Sequence, residues 1–125
     1  MLQFEVLPKR FAVCQLDMEK PLPNWLFSSS FYTVSKTADE LSVVCEEDLV
    51  QGEILKSVGW RLLKINALLD LSLTGITAQF STALAKAGIN LSVIATYNTD
   101  YILVEEAKLT IAIQALRGAG FEVIE

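Results

Sequence analysis

The chain has 125 residues, 52% of them hydrophobic and 20% charged, a balance that supplies a core and excludes the low-hydrophobicity, high-charge signature of disorder. Ten Lys and Arg against fifteen Asp and Glu leave a net charge of −5, and the cations are scattered singly, which argues against the basic stripe that nucleic-acid partners require. No histidine is present, so His-based acid–base triads and imidazole metal sites are removed; no enzyme, metal or other cofactor is expected.

No apolar run approaches the roughly 18 residues that cross a bilayer, and the first stretch, MLQFEVLPKRF, carries charges where a signal peptide has its apolar core. A cytoplasmic protein without a membrane partner is the expectation. Cys14 and Cys45, far apart in sequence, lie in strand-like apolar settings and read as reduced core thiols rather than a disulfide or a nucleophile. The mean hydropathy of +0.41 hints at burial beyond the chain's own core, in an interface.

Residues 2–6 and 11–16 read as two extended segments about a bend at Pro8-Lys9-Arg10. Two prolines and an asparagine, Pro21, Pro23 and Asn24, then make a connector leading into one helical turn, with Trp25 plugging the edge of a core. Phe31–Val34 and Leu41–Cys45 are strand-like and Thr37–Glu40 is their hairpin loop, after which Glu46-Glu47-Asp48 ends the strand with charge. Gly52, Lys56 and Ser57 lack the adjacent Gly-Lys-Ser/Thr order of a phosphate loop, so residues 49–57 are expected to form a solvated turn or short helix. Trp60–Ile65 is a further strand.

From residue 75 the pattern is regular. Ile76, Phe80, Ala83, Leu84 and Ala87 fall on one helical stripe, with Ser72 or Thr74 as N-cap and Gly88 as C-cap. Ser92–Tyr97 and Tyr101–Val104 make a hairpin broken at Asn98-Thr99-Asp100. A second helix spans residues 107–117, with Leu109, Ile113 and Leu116 on one face, and a strand over 121–124 follows. Both helices run through a glycine suited to left-handed backbone, Gly88 and Gly120, into an apolar strand. Strand, helix, strand, strand, helix, strand is the ferredoxin-like βαββαβ order, an α+β fold with an antiparallel sheet and both helices on one face. The division expected is residues 1–60 and 61–125. The uncovered sheet face of the second half should pack on the first half or on a second copy of the chain.

Candidate chemistry gathers at two places. Unpaired backbone N–H groups at the helix start by Gly75 and Ile76 can hold a carboxylate at the positive end of the helix dipole. Asp100 opens a strand and can pair with a cation, while Ser92 and Thr96 share a strand face and add hydroxyls. Glu46-Glu47 and Glu105-Glu106 sit at element ends, where a solvated face explains them better than acid–base work.

The stretch LSLTGITAQFSTALAKAGINLSVIATYNTDYILV, residues 71–104, resembles the ACT domain, a ferredoxin-like regulatory module that binds amino acids, usually between two copies. Its Thr-Gly-Ile helix start and its Thr-Tyr-x-Thr-Asp-x-x-Leu-Val segment are similar to those of the ACT repeats of CASTOR arginine sensors and of small bacterial ACT proteins. The likeness covers residues 60–125, and residues 1–60 look like a degenerate ACT-like half, which makes a tandem ACT protein. The resemblance implies that Gly75 and Ile76 contact the amino-acid backbone from one repeat and Ser92 and Val93 from the facing one. Thr96, Tyr97 and Asp100 would line the side-chain end. Since both sets occur in one repeat, a homodimer would set each chain's Gly75-Ile76 against the other's Ser92-Val93. Leu73 stands where an arginine-binding repeat has an acid, so arginine recognition is not implied. The expected function is therefore a non-enzymatic regulator or sensor for a free amino acid or similar small molecule. The alternative is a structural interaction or assembly module whose pocket is vestigial.

Overall fold

In the computed structural model, which describes residues 2–68 and 75–125, the first strand decides how the chain is divided. β1 runs unbroken over Gln3–Leu16, so the bend expected at Pro8-Lys9-Arg10 is absent. Its Gln3–Glu5 end pairs in parallel with β7 (Glu122–Ile124), and Phe11–Leu16 pair antiparallel with β3 (Leu41–Glu46). Pro8 falls between those two ladders, where its missing N–H removes no rung of either. Packing accordingly separates one unit made of Met1–Pro8 with Arg61–Glu125 from another made of Lys9–Trp60. The first eight residues thus group with the second half, whereas the sequence reading placed them in the first.

The reason lies in Phe4. Its ring is fully buried and meets Phe80 and Phe121 edge to face, with centroids 5.6 and 5.5 Å apart. Burying such a ring is worth a few kcal/mol, which outweighs any local preference of a Pro-Lys-Arg tripeptide to turn. Around it the elements follow the expected order: β4 (Leu55–Ile65), α1 (Ile76–Lys86), β5 (Leu91–Ala95), β6 (Asp100–Glu105), α2 (Leu109–Gly118) and β7. Pairing runs β7, β1, β4, β6, β5, so β1 stands between the first and last strands of the ferredoxin-like set. Leu63, Ile65, Phe80, Leu84, Ile102, Val104, Ile113 and Leu116 fill the core between sheet and helices.

Both helices close as expected. At the end of α1 the Ile89 N–H donates to Leu84 O and Gly88 N–H to Ala85 O; at the end of α2 Phe121 N–H donates to Leu116 O and Gly120 N–H to Arg117 O. That paired bonding needs the residue after the cap in left-handed backbone, which Gly88 and Gly120 supply at φ +74° and +96°. The next residue, Ile89 or Phe121, drops into the core.

In the Lys9–Trp60 unit, β3 pairs with β1 on one side and with β2 (Thr33–Lys36) on the other. The β2–β3 loop is the expected Thr37–Glu40, held by the Thr37 hydroxyl, which accepts from the Asp39 and Glu40 N–H groups at 3.1 and 3.0 Å. Ala12, Cys14, Val43 and Cys45 share one sheet face under Leu26. Leu26, in a 3-10 turn over Asn24–Ser28, takes the buried position, while Trp25 packs only partly against this core. Residues 49–57, read as a turn or short helix, instead pass from a 3-10 turn at Glu47–Leu49 into β4, which begins at Leu55.

Candidate functional site

α1 opens on Gly75, whose φ of +87° is left-handed backbone that a side chain would resist. Gly75 is itself the N-cap residue, and among the described residues no side chain caps the helix. The Gly75 carbonyl accepts the first helical bond, from Gln79 N–H at 3.0 Å. The N–H groups of the first turn thus have no side-chain acceptor among the described residues and lie at the positive end of the helix. Ser72, Leu73 and Thr74 lie outside the described residues. The Ile76 side chain packs against the core, so what this residue offers outward is its backbone N–H.

The β5–β6 turn is the second feature. Thr96 N–H and Thr96 Oγ1 both donate to Thr99 O, at 2.8 and 2.9 Å, and Thr99 N–H donates back to Thr96 Oγ1 at 3.3 Å. Thr99 is buried, and its hydroxyl donates to Ile65 O at 2.8 Å, which fastens this turn to the end of β4. The chain leaves β4 there on its way to α1. Fold topology therefore brings the turn and the start of α1 to the same end of the unit. Thr99 was not foreseen as a site residue; its partner lies 34 residues away, and no local pattern announces it.

The other expected residues distribute over this turn and the strand beside it. β5 is the last strand in the pairing order, so one of its edges faces no strand of this chain among the described residues. Register sets Val93 opposite Ile102 and Ala95 opposite Asp100, which puts Val93 and Asp100 on the face that carries Ile102 of the helix-covered core. Ser92 and Ile94 point to the other face. Ser92 and Val93 are both exposed. Tyr97 is 88% exposed at the turn's tip, and Asp100 is half-buried at its foot. Thr96, Tyr97 and Asp100 are thus gathered at one turn, while Ser92 and Val93 sit further along an open edge.

A groove of about 380 Å³ runs beside the start of α1, lined by Leu2, Ile76, Gln79, Ala119, Gly120 and Phe121. It takes in Ile76 but none of the β5–β6 residues, so this groove does not unite the expected set. Among the described residues no three His, Cys, Asp or Glu gather as metal ligands, and no helix is long and apolar enough to cross a membrane.

Comparison with known proteins agrees with this architecture. Residues 57–118 match the family model described as the ACT domain, and residues 9–53 match a second model described as an N-terminal domain. The search among curated proteins gave no match. A protein from Agobacterium tumefaciens shares the fold at a TM-score of 0.91 and 25% identity, over 98% of this chain and 92% of that one. A Vibrio cholerae protein of unknown function, described as a possible transport protein, follows at 0.77 and 26%, over 94% and 89%. The regulatory subunit of aspartate kinase from Thermus thermophilus shows the same fold at 0.65 and 11% identity, over 94% of this chain and 96% of that subunit. The ACT-domain model thus covers residues 57–118, about half of the chain, and the likeness to the aspartate kinase subunit is one of fold.

Proposed function

We propose that the protein is a regulatory module that holds a free amino acid between two copies of the chain. The observation that carries this reading is the start of α1, which opens on a left-handed glycine and has no side-chain cap among the described residues. A ligand carboxylate would accept the first-turn N–H groups there, as a capping side chain does. The open edge of a second copy's β5, at Ser92 and Val93, supplies the facing wall and backbone groups for the ligand ammonium. Thr96, Tyr97 and Asp100 lie at the side-chain end, and Asp100 is the group there that would meet a cation. The reading is supported by the match of residues 57–118 to the ACT domain, a module that generally binds amino acids, and by the fold shared with an aspartate kinase regulatory subunit.

A second reading is an assembly module without a ligand. It draws on the exposed apolar positions along β5 and its turn, Val93 at 40% and Tyr97 at 88%. A thermal-shift panel of the natural amino acids on ligand-free protein separates the two. A ligand present at one hundred times its dissociation constant adds about 2.7 kcal/mol of stability. The amino-acid reading expects a shift from one or a few members; no shift from any member leaves the assembly reading.

A further inference from the structure

A cleft of about 600 Å³ opens within the Lys9–Trp60 unit, between the segment that follows β1 and the loop before β4. That volume falls in the range of small-molecule sites, about 300–1000 Å³. One wall is apolar and stiff, made by Leu16, Pro21, Pro23 and Trp25; Ile54 and Leu55 form the other. Leu55 is 74% exposed, an apolar surface that an occupant would cover.

The polar lining has a definite sign. Asp17 and Glu53 bring two carboxylates against the single ammonium of Lys20. Lys20 Nζ lies 4.0 Å from Asp17 Oδ2, so its charge already has a carboxylate partner. Asp17 Oδ1 also accepts the Glu19 N–H at 2.8 Å, which fixes that carboxylate at the rim. Glu53 has no ion-pair partner among the described residues. Negative charge beside an indole and two proline rings suits an amine that carries a ring, the carboxylates pairing with the ammonium and the apolar wall covering the ring.

We propose that this cleft binds a small aromatic amine, its ring against Trp25 and the prolines and its ammonium between Asp17 and Glu53. This site is distinct from the amino-acid site, since none of Gly75, Ser92 or Asp100 lines it.

Three probes that share a phenylethyl body and differ in head charge test the proposal: phenethylamine, 2-phenylethanol and 3-phenylpropionate. They are titrated into the full-length Trp60→Phe protein, where Trp25 is the remaining tryptophan and reports by its emission. The amine should give a saturable change, bind about tenfold or more tightly than the alcohol, and leave the carboxylate without a saturable response. Asp17→Asn with Glu53→Gln, both at exposed positions, should weaken the amine about tenfold or more while the melting temperature holds. Asp100→Ala should leave amine binding unchanged. The proposal is overturned by no saturable response to the amine, by equal binding of amine and carboxylate, by full affinity in the double variant, or by loss of binding in Asp100→Ala.

Discussion

Thr99 shows how much one hydroxyl can fix. Its side chain joins the β5–β6 turn to Ile65 O, while the same carbonyl also accepts the Ala67 N–H at 3.0 Å. Thr99→Val keeps the shape and deletes the bond, leaving the carbonyl one partner. The expected loss is about 1 kcal/mol in urea denaturation, with the slope of the transition unchanged. A loss below the error of the measurement would show that the turn is held by other contacts. Glu46 works through charge instead. It accepts the Ser30 N–H, and that bond, the largest cause, holds its carboxyl below the ordinary 4.5. A depressed folded-state value contributes stability that is complete above the unfolded value and is lost as pH falls through the folded one. Glu46→Gln should therefore be less stable than the wild type at pH 7, and the gap should shrink as the pH drops below the carboxylate range. A gap that widens in acid would contradict the assignment. The thiols need no such test of sign: burial is the first cause raising both, and it pushes Cys45 up to about 12, so neither is a ready nucleophile.

Among the elements, those with a local signature were legible in the sequence. The helix stripe of Phe80 and Leu84, the left-handed glycines at 88 and 120, and the Thr37–Glu40 turn each declare themselves within a few residues, and the structure shows them there. β1 was not legible as one strand. Proline beside two cations is the usual mark of a bend, and what overrides it is long-range: two ladders and the contacts of Phe4 with rings 76 and 117 positions away in sequence. Phe4→Ala measures that override. Losing a fully buried ring should cost about 3–5 kcal/mol by denaturant unfolding. A loss under about 1 kcal/mol would mean that β1 is an accessory to its unit and not part of its centre.

At the scale of the whole molecule, the fold followed from element order, while the candidate site followed only in part. The start of α1 and the β5–β6 turn were both visible as residue types. Their placement at one end of the unit depended on the strand order, and the helix opening at Gly75 depended on left-handed backbone that residue types alone do not show. The groove beside the start of α1 holds Ile76 without Ser92 or Asp100. In the proposed two-fold pair of chains, each copy's helix start would meet the other's strand edge. Mixing two variants tests this directly with the amino acid that the thermal-shift panel selects. Ile76→Pro removes a first-turn N–H at the position where a helix tolerates proline best, and Ser92→Tyr blocks an exposed edge position. Each variant alone should fold, dimerise and fail to bind. An equimolar mixture, after subunit exchange, should regain about a quarter of the wild-type sites by calorimetry, since each mixed dimer rebuilds one intact site out of two. No recovery in a mixture shown to contain mixed dimers would contradict a site shared between copies.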